Sequence, residues 1–482
     1  MIDVASLRSL IIGTLTVVLA LVMSSHVVLH KRDPRAAVSW VGLIWLVPIL
    51  GSVLYVLFGI NRIRRRAEAL RLMGTGWNGF ETDSSSEWRV VTNKLSGDGG
   101  HLAGLARMVG RVAHRQLMPG NRIEPLVNGD EAYPAMLGAI DAAECTICLS
   151  TYIFDHDEVG ECFAEALGRA VERGVAVRVL IDAFGSRYSW PSMVSALQKR
   201  NVPVARFMEA VVPWRIPFLN LRTHRKILVV DGRLGYTGGM NIRAGHVLKD
   251  SPRRPVQDLH FSVEGPVVEQ LAQAFAEDWA FSTKEVLSGP NWFPGVVEVG
   301  PVLARGIVDG PDEDFDRLHL TLLAAVATAQ RRVCVITPYF LPDRELISAL
   351  NVASMRGVSV TIVLPSVNNQ PLVKWASTAH LWRLLERGCR VFVTPPPFDH
   401  TKLMIVDGAW TLLGSANWDD RSLRLNFEFN LECYDAELAE RLDRFVTIKL
   451  SDAREITKAD VDARTLPVRL RDGAARLLSP YL

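Results

Sequence analysis

The chain has 482 residues, 49% of them hydrophobic, which is enough material for two or three domains of ordinary size. Its 54 basic residues nearly cancel its 52 acidic ones, so bulk charge does not mark it as a binder of nucleic acid or of an acidic partner. Six cysteines over this length exclude a disulfide-built scaffold; Cys145 and Cys148 form a lone CxxC inside an apolar run, and all six read as core thiols in a reducing compartment.

Residues 9–30 and 36–61 carry no formal charge, and each predicts a membrane-spanning helix, for which about 20 apolar residues suffice. A secretory signal would have a shorter apolar region and no second span behind it. Pro48, Gly51 and Gly59 interrupt the second stretch, which keeps a re-entrant or interfacial hairpin as the alternative; His26 and His30 read as interfacial bystanders. Three basic residues stand in the connection 31–35 and five on the other side, Arg8, Arg62, Arg64, Arg65 and Arg66, so the positive-inside rule places the C-terminal bulk in the cytoplasm. The arginine cluster would lie against anionic headgroups. The predicted layout is a membrane hairpin over 1–66, a polar Gly/Ser-rich linker over 67–115, and globular halves over 116–290 and 291–482.

The two halves follow one plan. The first runs from a strand ending at Asn128, Gly129 and Asp130 through a helix, an apolar run ending TYIF at 151–154, a second helix, Arg173, Gly174, Val175 and a strand VRVLID. The second repeats this with Asp309 and Gly310, VCVITPYFLPD, a helix, Arg356, Gly357, Val358 and VTIVLP. Strands alternating with helices predict an α/β layered fold in each half.

Each half then reaches the same motif. HRKILVVDGRLGYTGGMN carries His224, Lys226, Asp231, Gly238 and Asn241; HTKLMIVDGAWTLLGSAN carries His400, Lys402, Asp407, Gly414 and Asn417 at identical spacing. Five matched positions arise by chance on the order of once in 10⁷ starting points. On a strand, residues i and i+2 share a face, so each His and Lys point into one volume. Asp231 and Asp407 are each followed by Gly and belong to a turn that ties the hairpin down. The return strands end in small residues, including Gly239 and Ser415, whose backbone can approach a phosphate while Asn241 and Asn417 donate through their amides. Two such sets supply a nucleophile and a general acid/base for phosphodiester exchange, a scheme that requires no metal or cofactor. Asp258 and Glu428, downstream on strand-like segments, are candidates to hold the second ring nitrogen of each His.

These paired segments resemble the HKD motifs of the phospholipase D superfamily. The wider chain is similar to its bacterial cardiolipin synthases, through KRDPRAAVSWVGLIWLVPILGSVLYVLFGINRIRRR, YIFDHDEVG, VRVLIDAFGS, LNLRTHRKILVVDG, DLHFSVEGPVV, FAEDW, ITPYFLPD, GSANWDDRS, LNFEFN and ARLLSPYL. The resemblance implies two phospholipase D-like α/β/α sandwich domains about a pseudo-twofold axis, with both motifs in one site. It implies transphosphatidylation of two phosphatidylglycerol molecules to cardiolipin and glycerol through a phosphatidyl-histidine. By family habit His224 is the nucleophile and His400 the acid/base, with Lys226, Lys402, Asp231 and Asp407 completing the catalytic set. It also implies a multi-pass protein of the bacterial inner membrane whose partners are anionic lipids, with no nucleic acid; the oligomeric state stays open, a homodimer being one option.

Three positions depart from the family pattern: Thr223 stands where Asn is common, Arg243 where Gly is usual, and Asp399 where an apolar residue is frequent. A carboxylate at 399 would raise the pKa of His400, and Arg243 would add a phosphate contact. Residues 211–222, VVPWRIPFLNLR, interleave aromatic and basic side chains and read either as a membrane-interface rim or as core. The competing functions are a phospholipase D-type hydrolase, a transphosphatidylase using another acceptor such as phosphatidylethanolamine, and an inactive membrane-tethered lipid-binding scaffold. Two complete motifs argue against the scaffold.

Overall fold

The structure, a computed structural model, describes residues 4–31, 34–59, 84–95, 99–208, 221–310 and 316–479. The arginine cluster at 62–66, the start of the expected linker and all but the end of the 211–222 segment lie outside these. The chain divides into two compact units, 1–69 with 210–220, and 70–209 with 221–482.

In the first unit the helix Val4–His30 includes an apolar stretch, Leu10–His30, long enough to cross a membrane. The second expected span is instead two short helices, Pro34–Leu46 and Pro48–Leu54, followed by a π-helical turn at Tyr55–Gly59. Pro48 forces the change: it crowds the preceding residue out of the helical region, and Val47 sits at φ −138°, ψ 76°. Gly51 permits the bend, because a Cβ there would lie 2.6 Å from the Leu43 carbonyl oxygen. Val27, Ile44 and Tyr55 hold the hairpin together, and His26, expected as a bystander, places Nδ1 2.8 Å from the Tyr55 hydroxyl.

The second unit is built on one large sheet and two small two-stranded ones. Its first half supplies β1 (Met118–Val127), β2 (Thr146–Thr151), β3 (Ala176–Asp182), β4 (Val204–Phe207), β5 (Arg222–Thr223), β6 (Ile227–Val230), β7 (Leu234–Gly238), β8 (Val256–Gln257) and β9 (Leu259–Glu264). The second supplies β10 (Val302–Asp309), β11 (Arg332–Ile336), β12 (Phe340–Leu341), β13 (Ser359–Pro365), β14 (Arg390–Thr394), β15 (Phe398–Asp399), β16 (Leu403–Val406), β17 (Trp410–Gly414), β18 (Trp418–Asp419), β19 (Asn426–Tyr434) and β20 (Arg454–Ile456). The order is β4-β3-β2-β6-β7-β9-β1 and then β10-β19-β17-β16-β11-β13-β14-β20. Apart from the terminal β20, one half is the other read backwards, with β9 and β19 in equivalent places next to the seam strands. The pseudo-twofold axis falls between the antiparallel strands β1 and β10.

β6 and β16 are buried along their whole length, which is why their sequences are unbroken apolar runs. The helices Asn128–Ala142, Glu158–Glu172 and Met193–Lys199 cover the first half through Phe163, Leu167 and Leu197, and Arg317–Thr328 and Arg344–Met355 cover the second through Leu322 and Leu350. Residues 84–95 and 99–113, expected within the linker, are largely helical and packed. Helices Ser84–Lys94 and Ala103–Ala113, with the 3-10 turn Gly100–Leu102 before the second, bury Val91, Leu102, Leu105, Ala106 and Val109 in the second-half core, and Arg305 donates to the Ala106 carbonyl at 2.7 Å. The i, i+3, i+4, i+7 spacing of Leu102, Leu105, Ala106 and Val109 is a helical stripe that the surrounding glycines obscure.

Candidate active site

Each motif is a hairpin whose turn is locked. Asp231 and Asp407 both adopt positive φ, 51° and 53°, at the turns from β6 to β7 and from β16 to β17. The Asp231 carboxylate accepts from the backbone N–H groups of Glu144, Cys145 and Thr146 at 2.7–3.0 Å, and that of Asp407 from Gln330, Arg331 and Arg332 at 2.7–2.8 Å. His101 adds a 2.6 Å contact to Asp407. Each Asp stands seven residues past its His, about 20 Å along a strand. Both aspartates, expected in the catalytic set, anchor turns at the end of the hairpin away from the imidazoles.

At that other end, the two halves exchange partners. β5 pairs in parallel with the start of β19, after which the His224 N–H donates to the Phe427 carbonyl at 2.8 Å. The next residue on that strand is Glu428, whose Oε2 lies 3.0 Å from His224 Nδ1. On the opposite side β15 pairs with β8, the His400 N–H donates to the Gln257 carbonyl at 2.7 Å, and the following Asp258 places Oδ2 2.8 Å from His400 Nδ1. Each imidazole is thus held at Nδ1 by a carboxylate from the other half.

Lys226 donates to the His224 carbonyl at 2.7 Å and Lys402 to that of His400 at 2.6 Å; Lys402 Nζ also lies 3.1 Å from both ring nitrogens of His400. Burial dominates the electrostatics. It lowers the pKa of His224, with Glu428 opposing and Lys226 and Lys402 adding to the shift. It holds His400 well down, assisted by Lys402, Lys226, His224 and Arg243. That each lysine acts on both histidines shows the two motifs sharing one volume. Burial also pushes Lys226 down to about 7 and Lys402 to about 8. The two carboxylates differ: burial raises Asp258, whereas for Glu428 the same penalty is outweighed by His224, Lys226 and Ser415, leaving it lowered.

Asn241 accepts from the Ile153 N–H through Oδ1 at 3.0 Å, and Asn417 places Nδ2 3.2 Å from the Ser422 hydroxyl. Gly239 and Ser415, expected against phosphate, sit behind the carboxylates instead. A Cβ on Gly239 would lie 2.4 Å from Asp258 Oδ1, and the Ser415 hydroxyl donates to Glu428 Oε2. Of the three departures, Thr223 donates its N–H to Asp182 at 2.9 Å, and Asp399 is taken up by Lys449 at 2.6 Å, so it does not raise His400. Arg243 pairs with Asp155 at 3.1 Å. Sequence reasoning missed Tyr152 and Tyr339, whose rings stand edge-on to His224 and His400 at 5.4 and 6.1 Å. The signal was an aromatic residue at the end of the matched apolar run in each half. Among the described residues, His319, Asp343 and Glu345 bring ligand-type atoms within 4.8 Å of one another, but they belong to neither motif.

Comparison with known proteins places this geometry. A family model described as cardiolipin synthase, PLD-like domain, matches residues 136–279 and again 322–447, over half the chain, and one described as phospholipase D-nuclease N-terminal matches 18–59. Cardiolipin synthase A of Pseudomonas fluorescens is 31% identical over 466 residues, covering 96% of each chain. The chain belongs to the cardiolipin synthase family. A second family relative, the cardiolipin synthase of Geobacillus sp. (strain WCH70), is 30% identical over 476 residues, 98% of this chain and 93% of that one. The family fold is also found in the phosphatidylserine synthase of Haemophilus influenzae, with a TM-score of 0.59 at 16% identity over 79% of this chain and all of that one.

Proposed function

We propose that this site makes cardiolipin from two phosphatidylglycerol molecules by way of a phosphatidyl-histidine. The enzyme is a phosphatidyltransferase, and the observation that carries the mechanism is the pair of buried imidazoles, each with Nδ1 tied to a carboxylate. Neutral His224 attacks phosphorus through Nε2. The bond to glycerol breaks as His400 gives its Nε2 proton to the leaving oxygen. The hydroxyl of a second phosphatidylglycerol then passes its proton to His400 and attacks phosphorus, and His224 leaves. Lys226, Lys402 and the amide groups of Asn241 and Asn417 hold the non-bridging oxygens.

The dyads are unequal in a way that favours His224 as nucleophile. Phosphatidylation puts positive charge on that ring, and Glu428 is the carboxylate held in its ionised form. Burial, assisted by the surrounding cations, holds the pKa of His400 down, and an arriving anionic phosphate offsets those cations, which lets the ring take a proton.

The helix Leu10–His30 supports membrane association. We place the catalytic unit on the cytoplasmic side from the distribution of basic residues in the first 66 positions. The test is full-length protein in vesicles of labelled phosphatidylglycerol, following lipid product and glycerol together. Cardiolipin with one glycerol per turnover is expected; phosphatidic acid as sole product overturns the assignment.

A further inference from the structure

A rim of exposed apolar side chains is anchored to both catalytic histidines. In the first half, the loop after β3 presents Trp190, 96% exposed, beside exposed Tyr188 and Arg187. This loop is joined to the site by rings: Tyr188 stands 6.2 Å from Tyr152, which is edge-on to His224. In the second half, the helix Leu466–Leu477 turns Asp472 and Ala475 inward and leaves Leu466, Leu470 and Leu477 outward, each at least 64% exposed. That spacing is an apolar stripe along a helix, and Arg469 and Arg476 flank it.

The helix packs on Pro371–Thr378, and Ala475 shares a buried cluster with Ala376, Val373 and Leu341, against which Tyr339 packs. Tyr339 is edge-on to His400.

We propose that the 184–191 loop and the Leu466–Leu477 helix form an interfacial surface that seats the catalytic unit on an anionic bilayer with the two histidines between them. The occupant follows from chemistry. A tryptophan tip and a leucine stripe match the acyl boundary, the arginines match anionic headgroups, and the site between them draws its substrate from that same layer. A soluble substrate would give no reason for such side chains to stand in water around the site mouth.

This rests on the reading of the site as one for membrane lipids, and it is tested with the full chain in phosphatidylglycerol vesicles. A trace of phosphatidylglycerol bearing a diazirine high on the acyl chain is photolysed, and lipid adducts are mapped by mass spectrometry. Adducts on peptides covering 184–191 and 466–478, beside those on the N-terminal helix, are expected. Adducts confined to the N-terminal helices overturn the proposal; absence of lipid adducts on 466–478 in protein that sediments as a dimer would mean that a second copy occupies this face.

Labelling needs no turnover, so it decides the proposal even if cardiolipin is not the product. In the second arm, Trp190→Ser and Leu470→Glu should each lower the ratio of activity on vesicles to activity on monomeric short-chain phosphatidylglycerol about tenfold. The ratio cancels any loss of folded protein. An unchanged ratio with labelling absent from both segments sinks the idea.

Discussion

Glu428 holds the ring of His224 from across the molecular pseudo-twofold, and its neighbour Phe427 holds the same residue's backbone. Main chain and side chain of His224 are therefore fixed by two consecutive residues of one strand, β19. Glu428→Gln keeps the size but removes the charge, so the Nδ1 tautomer and the positive phosphatidyl-imidazole lose their support. Turnover is expected to fall on the order of 100-fold or more, with less adduct in acid-quenched samples and the melting temperature held within a few degrees. Adduct formation at the normal rate would count against the role.

Gly239 offers a narrower probe of the other dyad. Gly239→Ala sets a methyl group 2.4 Å from the Asp258 carboxylate and must push it off His400. We expect a loss of about 10- to 100-fold in turnover. Gly138→Ala, in an exposed helical position where an added Cβ meets nothing, should leave turnover alone and stabilise slightly, by about 0.5 kcal/mol. Equal behaviour of the two would refute the steric argument.

Asp407 separates anchoring from chemistry. Asp407→Ala strips three backbone N–H groups of their acceptor. The expected cost is on the order of 3 kcal/mol, read as an earlier melting or denaturant midpoint. Activity per folded molecule should stay near that of the parent, the opposite of the Glu428 variant.

Arg243 gives a pH signature. Its charge is one of those that hold His400 down, so Arg243→Gln removes a penalty on the protonated ring and leaves Asp155 unpaired nearby, which acts in the same direction. The pKa of His400 must rise. Decay of the phosphatidyl-enzyme needs neutral His400, so the acidic limb of its pH profile should move to higher pH in single-turnover quench experiments. A limb that stays or moves lower contradicts this placement of Arg243.

The paired motifs, the turn role of the two aspartates and the two partner carboxylates were legible because each depends on local spacing or strand periodicity. The crossing of Glu428 to His224 and of Asp258 to His400 was not, since it depends on how β5 meets β19 and β15 meets β8, pairings between segments about 140 to 200 residues apart. Gly239 and Ser415 misled for a related reason: small residues signal close approach without naming what approaches. The helix Ala103–Ala113 was hidden by the glycines in and before it, and the break at Val47 turned a charge-free stretch of spanning length into two short helices.

The exchange of carboxylates also bears on how the chain could be divided. Cut between its halves, each piece keeps a histidine, a lysine and a turn anchor, and each lacks the acid that its own imidazole uses. Separate fragments should be inert however well they fold, and mixing them should restore turnover only as they reassemble across β1 and β10. The duplicated enzyme is in this sense a covalently linked complementation pair, and the continuous sheet is what makes its two partners inseparable in practice.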